Sequence, residues 1–98
     1  MKQARLFVRG DVIGVGFRAW TKIQAKINGV SGWVRNVFDD ETRFGKNGGV
    51  EAVVQGDADS VDRIIALIKT GPPVARVEEV EVVWEEPKEI IEDFSIRK

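Results

Sequence analysis

The chain has 98 residues, 43% of them hydrophobic, and a formal net charge of −1, which suits one domain with one core and is too short for two. Cysteine and histidine are both absent, which removes disulfide frameworks, thiolate nucleophiles, imidazole general bases, histidine phosphoenzymes and ordinary zinc sites. The near-neutral charge gives no general pull toward nucleic acid or anionic lipid, so any basic site must be local.

Residues 4–9 (ARLFVR) alternate apolar and polar, the pattern of a strand with one buried face. Gly10 to Gly16 then form a glycine-rich stretch where a helix is costly and tight turns are easy. From Phe17 the period lengthens. Ala19, Ile23 and Ile27 form an apolar line at i, i+4 and i+8, with Lys22 and Lys26 off it, predicting an amphipathic helix. Asn28-Gly29 stops it, with Gly29 placed as a left-handed C-cap.

Val30 to Phe38 reads as a strand that runs into the acidic Asp39-Asp40-Glu41 and a loop rich in glycine up to Gly49. Val50, Ala52 and Val54 alternate with Glu51, Val53 and Gln55 as a further strand. Asp57 or Asp59 can cap a second helix with the stripe Val61, Ile64, Ile65 and Ile68, ended by Gly71-Pro72-Pro73. Val77 to Trp84 is rich in β-formers, and the adjacent Glu78-Glu79 suggests a bulge. Phe94 to Ile96 can form a short last strand, while 88–92 is ambiguous.

The order strand, helix, strand, strand, helix, strand predicts an α+β fold: a ferredoxin-like split βαβ sandwich (βαββαβ). Two helices then cover one face of a four-stranded antiparallel sheet. Residues 1–98 are expected to form a single domain. No apolar run approaches the roughly 18 residues of a membrane span, and the opening MKQARLF has no signal-peptide core. A soluble, cytoplasmic protein is expected.

The turn from Gly10 to Arg18 leaves a strand and opens a helix, where successive N–H groups can converge on one anion and the helix N-terminus adds partial positive charge. Arg18, in the first helical turn, can add a planar fork of donors matched to phosphate oxygens. A plain strand-to-helix turn with a solvated arginine has the same spacing. Gly14-Val15-Gly16-Phe17-Arg18-Ala19 also fits the dinucleotide-binding fingerprint, with Asp39 about 20 residues on. The chain is too short for the further βα units such a fold requires, and no Lys-Ser or Lys-Thr follows to make an ATP-type P-loop.

Asn36 shares a strand face with Val34, opposite Trp33 and Arg35, and asparagine is uncommon in strands. Judged alone, it fits a solvated strand end better than a catalytic role. Trp20, Trp33 and Trp84 fit packing better than base stacking, and Asp39-Asp40-Glu41 fits a solvated loop better than a weak metal site. RNA-recognition domains share this element order, but the third strand lacks their aromatic signature.

Taken together, the chain resembles the acylphosphatase family. That family's first motif, V-x-G-x-V-Q-G-V-x-F-R, is met by Val8 to Arg18 at every fixed position except Ile13, which replaces glutamine. Its second, G-x-x-G-W-V-R-N, is met by Gly29 to Asn36. Gly49-Val50-Glu51-Ala52, Gln55-Gly56, Gly71-Pro72, Ala75-Arg76-Val77 and Phe94-Ser95-Ile96 extend the likeness over nearly the whole chain.

The resemblance implies the same split βαβ fold and a cofactor-free, metal-independent enzyme cleaving carboxyl–phosphate anhydrides. Its phosphate-binding arginine falls on Arg18 and its water-positioning asparagine on Asn36. Its anion cradle falls on the backbone of Ile13, Gly14, Val15, Gly16 and Phe17. A small acyl phosphate is then the substrate and inorganic phosphate the product. A monomer is expected, with no nucleic-acid or membrane partner. Two departures stand out. Ile13 replaces glutamine, and the segment from Phe38 to Gly49 is longer than the family's usual Asp-Gly turn.

Overall fold

The computed structural model describes residues 1–98. β1 (Lys2–Asp11) leads through the glycine-rich turn to α1 (Phe17–Ile27), β2 (Ser31–Val37) and a single-turn α2 (Glu41–Phe44). β3 (Gly49–Gly56), α3 (Ala58–Thr70), β4 (Arg76–Glu85) and β5 (Phe94–Arg97) follow. The strands make one sheet in the order β4-β1-β3-β2-β5. β1 runs antiparallel to β3 and β4, and β2 runs antiparallel to β3.

The expected four-stranded antiparallel sheet is therefore corrected to a five-stranded mixed one. After Pro87 the chain crosses the sheet and returns beside β2, so Phe94–Arg97 pairs parallel with Gly32–Arg35. The polar side chain of Gln55 fixes that crossing. Its Nε2 donates to the Glu89 carbonyl at 2.9 Å, and its Oε1 accepts from the Ile91 N–H at 2.8 Å. The two expected helices are joined by a third, α2, because the Asp40 carboxylate accepts from the Arg43 N–H at 3.1 Å and caps one isolated turn. One turn leaves no periodic signal in a sequence.

The core lies between α1, α3 and the sheet. Ala4, Leu6 and Val8 of β1, Val34 of β2 and Val50, Ala52 and Val54 of β3 meet Val61, Ile64, Ile65 and Ile68 of α3. That α3 stripe is the predicted one. The apolar line predicted for α1 is not the buried one: Ile23 and Ile27 are 57% and 72% exposed, while Phe17, Thr21 and Ala25 face the sheet. Thr21 tolerates burial because its hydroxyl donates to the Phe17 carbonyl at 2.8 Å. Phe17 also packs against Trp20, with ring centroids 5.6 Å apart. α1 ends as predicted: the N–H of Gly29 bonds the Lys26 carbonyl and that of Val30 the Ala25 carbonyl, the two bonds of a Schellman cap.

Asp57 holds the N-cap position of α3 without a side-chain bond. The suggested bulge is present, since Arg9 pairs with Glu79 but Gly10 pairs with Val77, which leaves Glu78 as the extra residue. On the open face of the sheet a smaller cluster, Phe7, Val37 and Phe44, lies under α2. No helix is long and apolar enough to cross a membrane.

Candidate active site

The turn between β1 and α1 is shaped by two glycines. Gly14 and Gly16 have φ of 81° and 78°, the left-handed region where a side chain costs energy. Gly16 is also the N-cap of α1 and offers no capping side chain. None of the backbone N–H groups from Ile13 to Ala19 donates to an acceptor in the protein; the first that does is Trp20, to the Gly16 carbonyl at 3.0 Å. The orphan donors of the helix start thus continue backward through the turn as one run of free N–H groups.

Three elements bring side chains to this run. Arg18 stands in the first turn of α1, half-buried, with no carboxylate partner; its Nη1 makes one long contact, 3.4 Å to the Arg97 carbonyl. Arg5, Arg9, Arg35 and Arg43, by contrast, are all engaged in ion pairs. Asn36 lies near the end of β2, opposite Val50 of β3, on the face that the helices cover. Its side chain is half-buried and is bonded to no protein group. Ile96 of β5, 41% exposed, closes the third side.

Together Val12, Gly14, Gly16, Phe17, Arg18, Ala19, Asn36 and Ile96 line one cavity of about 160 Å³. Of the residues expected at the site, Gly14, Gly16, Phe17, Arg18 and Asn36 meet there. Ile13 and Val15 do not line it, since their side chains pack against the core instead. Ile96 was not anticipated. The alternation of Phe94 and Ile96 pointed to a strand, but not to its place beside β2, which alone brings Ile96 to the cavity.

Asp40 caps α2, and no three acidic side chains gather anywhere as a candidate ligand group. The strongest electrostatic structure lies away from the cavity, on the open face. There the buried Glu51 takes Arg5 at 2.6 Å and Arg35 at 2.7 Å, and Arg5 also reaches Glu85 at 2.8 Å. Hydrogen bonding to Glu85 raises Arg5 above its ordinary value, partly opposed by desolvation. The bonds from Arg5 and then Gln3 hold Glu85 below the usual carboxylate range.

The sequence model of the family described as Acylphosphatase matches residues 4–96. The chain belongs to the acylphosphatase family. It is 50% identical over 96 residues to the acylphosphatase of Pyrobaculum arsenaticum, covering 98% of this chain and 94% of that relative. Among solved structures, the acylphosphatase from Bacillus subtilis superposes with a TM-score of 0.87 at 32% identity, covering all of both chains. The acylphosphatase from Coxiella burnetii gives a TM-score of 0.84 at 29% identity over 98% of this chain and 92% of that one. The likeness to both solved structures thus extends over nearly the whole chain.

Proposed function

We propose that this member of the acylphosphatase family hydrolyses the carboxyl–phosphate bond of small acyl phosphates by direct attack of water, with Arg18 and the turn amides holding the phosphoryl group and Asn36 the water. The observation that carries the residue assignment is the meeting of unspent donors. An arginine without a carboxylate and an asparagine without a partner line one cavity together with Gly14, Gly16 and Phe17, whose backbone N–H groups donate to nothing in the protein. At about 160 Å³ it is smaller than the roughly 300 Å³ at which drug-sized pockets begin, which suits a phosphoryl group and a water with the acyl group outside.

The chemistry needs little more. Phosphoryl transfer passes through a loose transition state, so catalysis is positioning and charge stabilisation. In this reading the amides of Ile13 to Phe17 and the Arg18 fork supply donors to the three equatorial oxygens, where charge accumulates. The Asn36 amide holds a water in line with the scissile bond and lowers the entropic cost of attack. The water oxygen bonds to phosphorus as the bond from phosphorus to the acyl oxygen breaks, and the carboxylate leaves with the electron pair. Its low basicity removes any need for a general acid. The water's proton passes to a phosphoryl oxygen and then to solvent, giving inorganic phosphate without a phosphoenzyme. This reading includes no cofactor or metal, and it has the enzyme working as a monomer in the cytoplasm, free of nucleic acid and membrane.

Purified protein given benzoyl phosphate without added metal should release benzoate and phosphate. In ¹⁸O-labelled water the label should enter the phosphate. Label in the benzoate would show attack at carbon and refute the mechanism, and phosphate binding without turnover would make the site a non-catalytic anion receptor.

A further inference from the structure

We infer that the long excursion between β2 and β3 is a brace for the phosphate-binding turn, and that the Ile13 side chain is the positioning residue through which it acts. The inference rests on the reading of that turn as an anion cradle. A turn whose amides are all reserved for a ligand has no hydrogen bonds of its own to hold it. Its side chains must fix it. Two of them, Ile13 and Val15, turn inward to the core, and Ile13 also reaches across to the excursion.

The excursion is itself pinned. Phe44 is buried on the open face, with its ring 6.0 Å from that of Phe7. The Arg43 guanidinium sits 3.9 Å over the Phe7 ring, and the Arg43 carbonyl accepts from Arg9 at 2.7 Å. Gly49 leaves room for this seat, since a Cβ there would fall 2.2 Å from Phe44 Cδ1. From that fixed point the chain turns through Gly48 (φ 74°), where a Cβ would stand 3.1 Å from Ile13 Cδ1. No hydrogen bond links the excursion to the turn, and the two otherwise flank a groove of about 940 Å³ with Arg9, Lys46 and Glu79 on its walls. The Ile13–Gly48 contact bridges it.

A glutamine at position 13 would place an amide against Gly48 and the core, where the isoleucine now places a branched apolar end. The two departures from the family pattern are therefore one feature: a longer excursion and an apolar residue that packs against it. Ile13 does not line the cavity that Arg18 and Asn36 line, so its effect on phosphate passes through the backbone it anchors.

The test is the inhibition constant of inorganic phosphate against benzoyl phosphate, with KM and kcat measured separately. Ile13→Ala should weaken phosphate and raise KM by about tenfold, the scale of a loosened binding group, while Ile13→Val restores most of the loss. Phe44→Ala, on the other face of the sheet, should weaken phosphate in the same direction. The double variant should be no weaker than Ile13→Ala alone, because both remove one brace. Urea midpoints establish that each variant is folded during the assay, and Phe44→Leu replaces Phe44→Ala if the latter is not. Phosphate inhibition within twofold of wild type in Ile13→Ala, or fully additive losses in the double variant, would overturn the brace and leave the cradle intact. A wild-type enzyme that turns over substrate yet is not inhibited by phosphate would overturn both.

Discussion

Replacing Arg18 by glutamine separates binding chemistry from architecture more cleanly than any other change in this molecule. The side chain forms no ion pair, and its one protein contact is long and exposed, at 3.4 Å to the Arg97 carbonyl. Its contribution to folding is therefore small, within the roughly ±0.5 kcal/mol of ordinary surface substitutions. Its proposed contribution to catalysis is two charge-assisted hydrogen bonds to a phosphoryl group, each about 1.5–3 kcal/mol. The sum, about 3–6 kcal/mol, corresponds to a loss of roughly 10²–10⁴ in kcat/KM. Arg18→Lys keeps the charge but not the fork and should fall between wild type and glutamine. The assay is continuous hydrolysis of benzoyl phosphate, alongside urea denaturation of each variant. A kcat/KM within threefold of wild type would refute the assignment of Arg18. A loss accompanied by an equal fall in stability would show that the arginine supports the fold instead.

Asn36→Ala should lower kcat by about 10- to 100-fold through loss of water orientation and leave phosphate inhibition within about threefold; weakened phosphate with unchanged kcat would make Asn36 a binding group. Glu85→Gln probes the open-face network. Its carboxylate titrates below the ordinary value of 4.5 when folded, so its stabilisation is present above that value and is lost as pH falls through the lower folded value. The gap in urea stability between wild type and Glu85→Gln should therefore be open at pH 7 and closed in strong acid, and a gap independent of pH would refute the coupling. Ile68→Ala, at a fully buried position on α3, should cost about 2–5 kcal/mol, seen as a lower urea midpoint at unchanged m; a cost below 1 kcal/mol would mean that α3 is not held by this stripe.

Where one pattern had one physical solution, the sequence was sufficient. The α3 stripe, the Gly29 cap, the bulge at Glu78 and the alternation of β1 and β3 all follow from local chemistry. α1 did not, because it carries two competing lines. Counting aliphatic residues selects Ala19, Ile23 and Ile27, whereas the fold buries Phe17, Thr21 and Ala25, using a satisfied hydroxyl and a small residue to bring the helix close. The parallel place of β5 depends on Gln55 catching the crossing chain more than thirty residues away, a partnership no local window contains. At the site, Arg18 and Asn36 were legible through long motifs and Gly14 and Gly16 through their turn chemistry. Ile96 and the bracing contact of Ile13 depend on tertiary neighbours that only the assembled sheet supplies.

The strand order has a kinetic consequence. β1 occupies an interior lane, with Lys2 opposite Gly56 on one side and Gln3 opposite Glu85 on the other. Its ladders therefore form only after most of the polypeptide has been looped back on itself. Such high contact order slows the search, toward the millisecond-to-second range of sheet-dominated domains and away from the microseconds of helical ones. The glycine-rich turn is strung from the end of that lane and reaches its final shape only as the last ladders close, so recovery of activity after dilution from urea should lag behind the formation of helix.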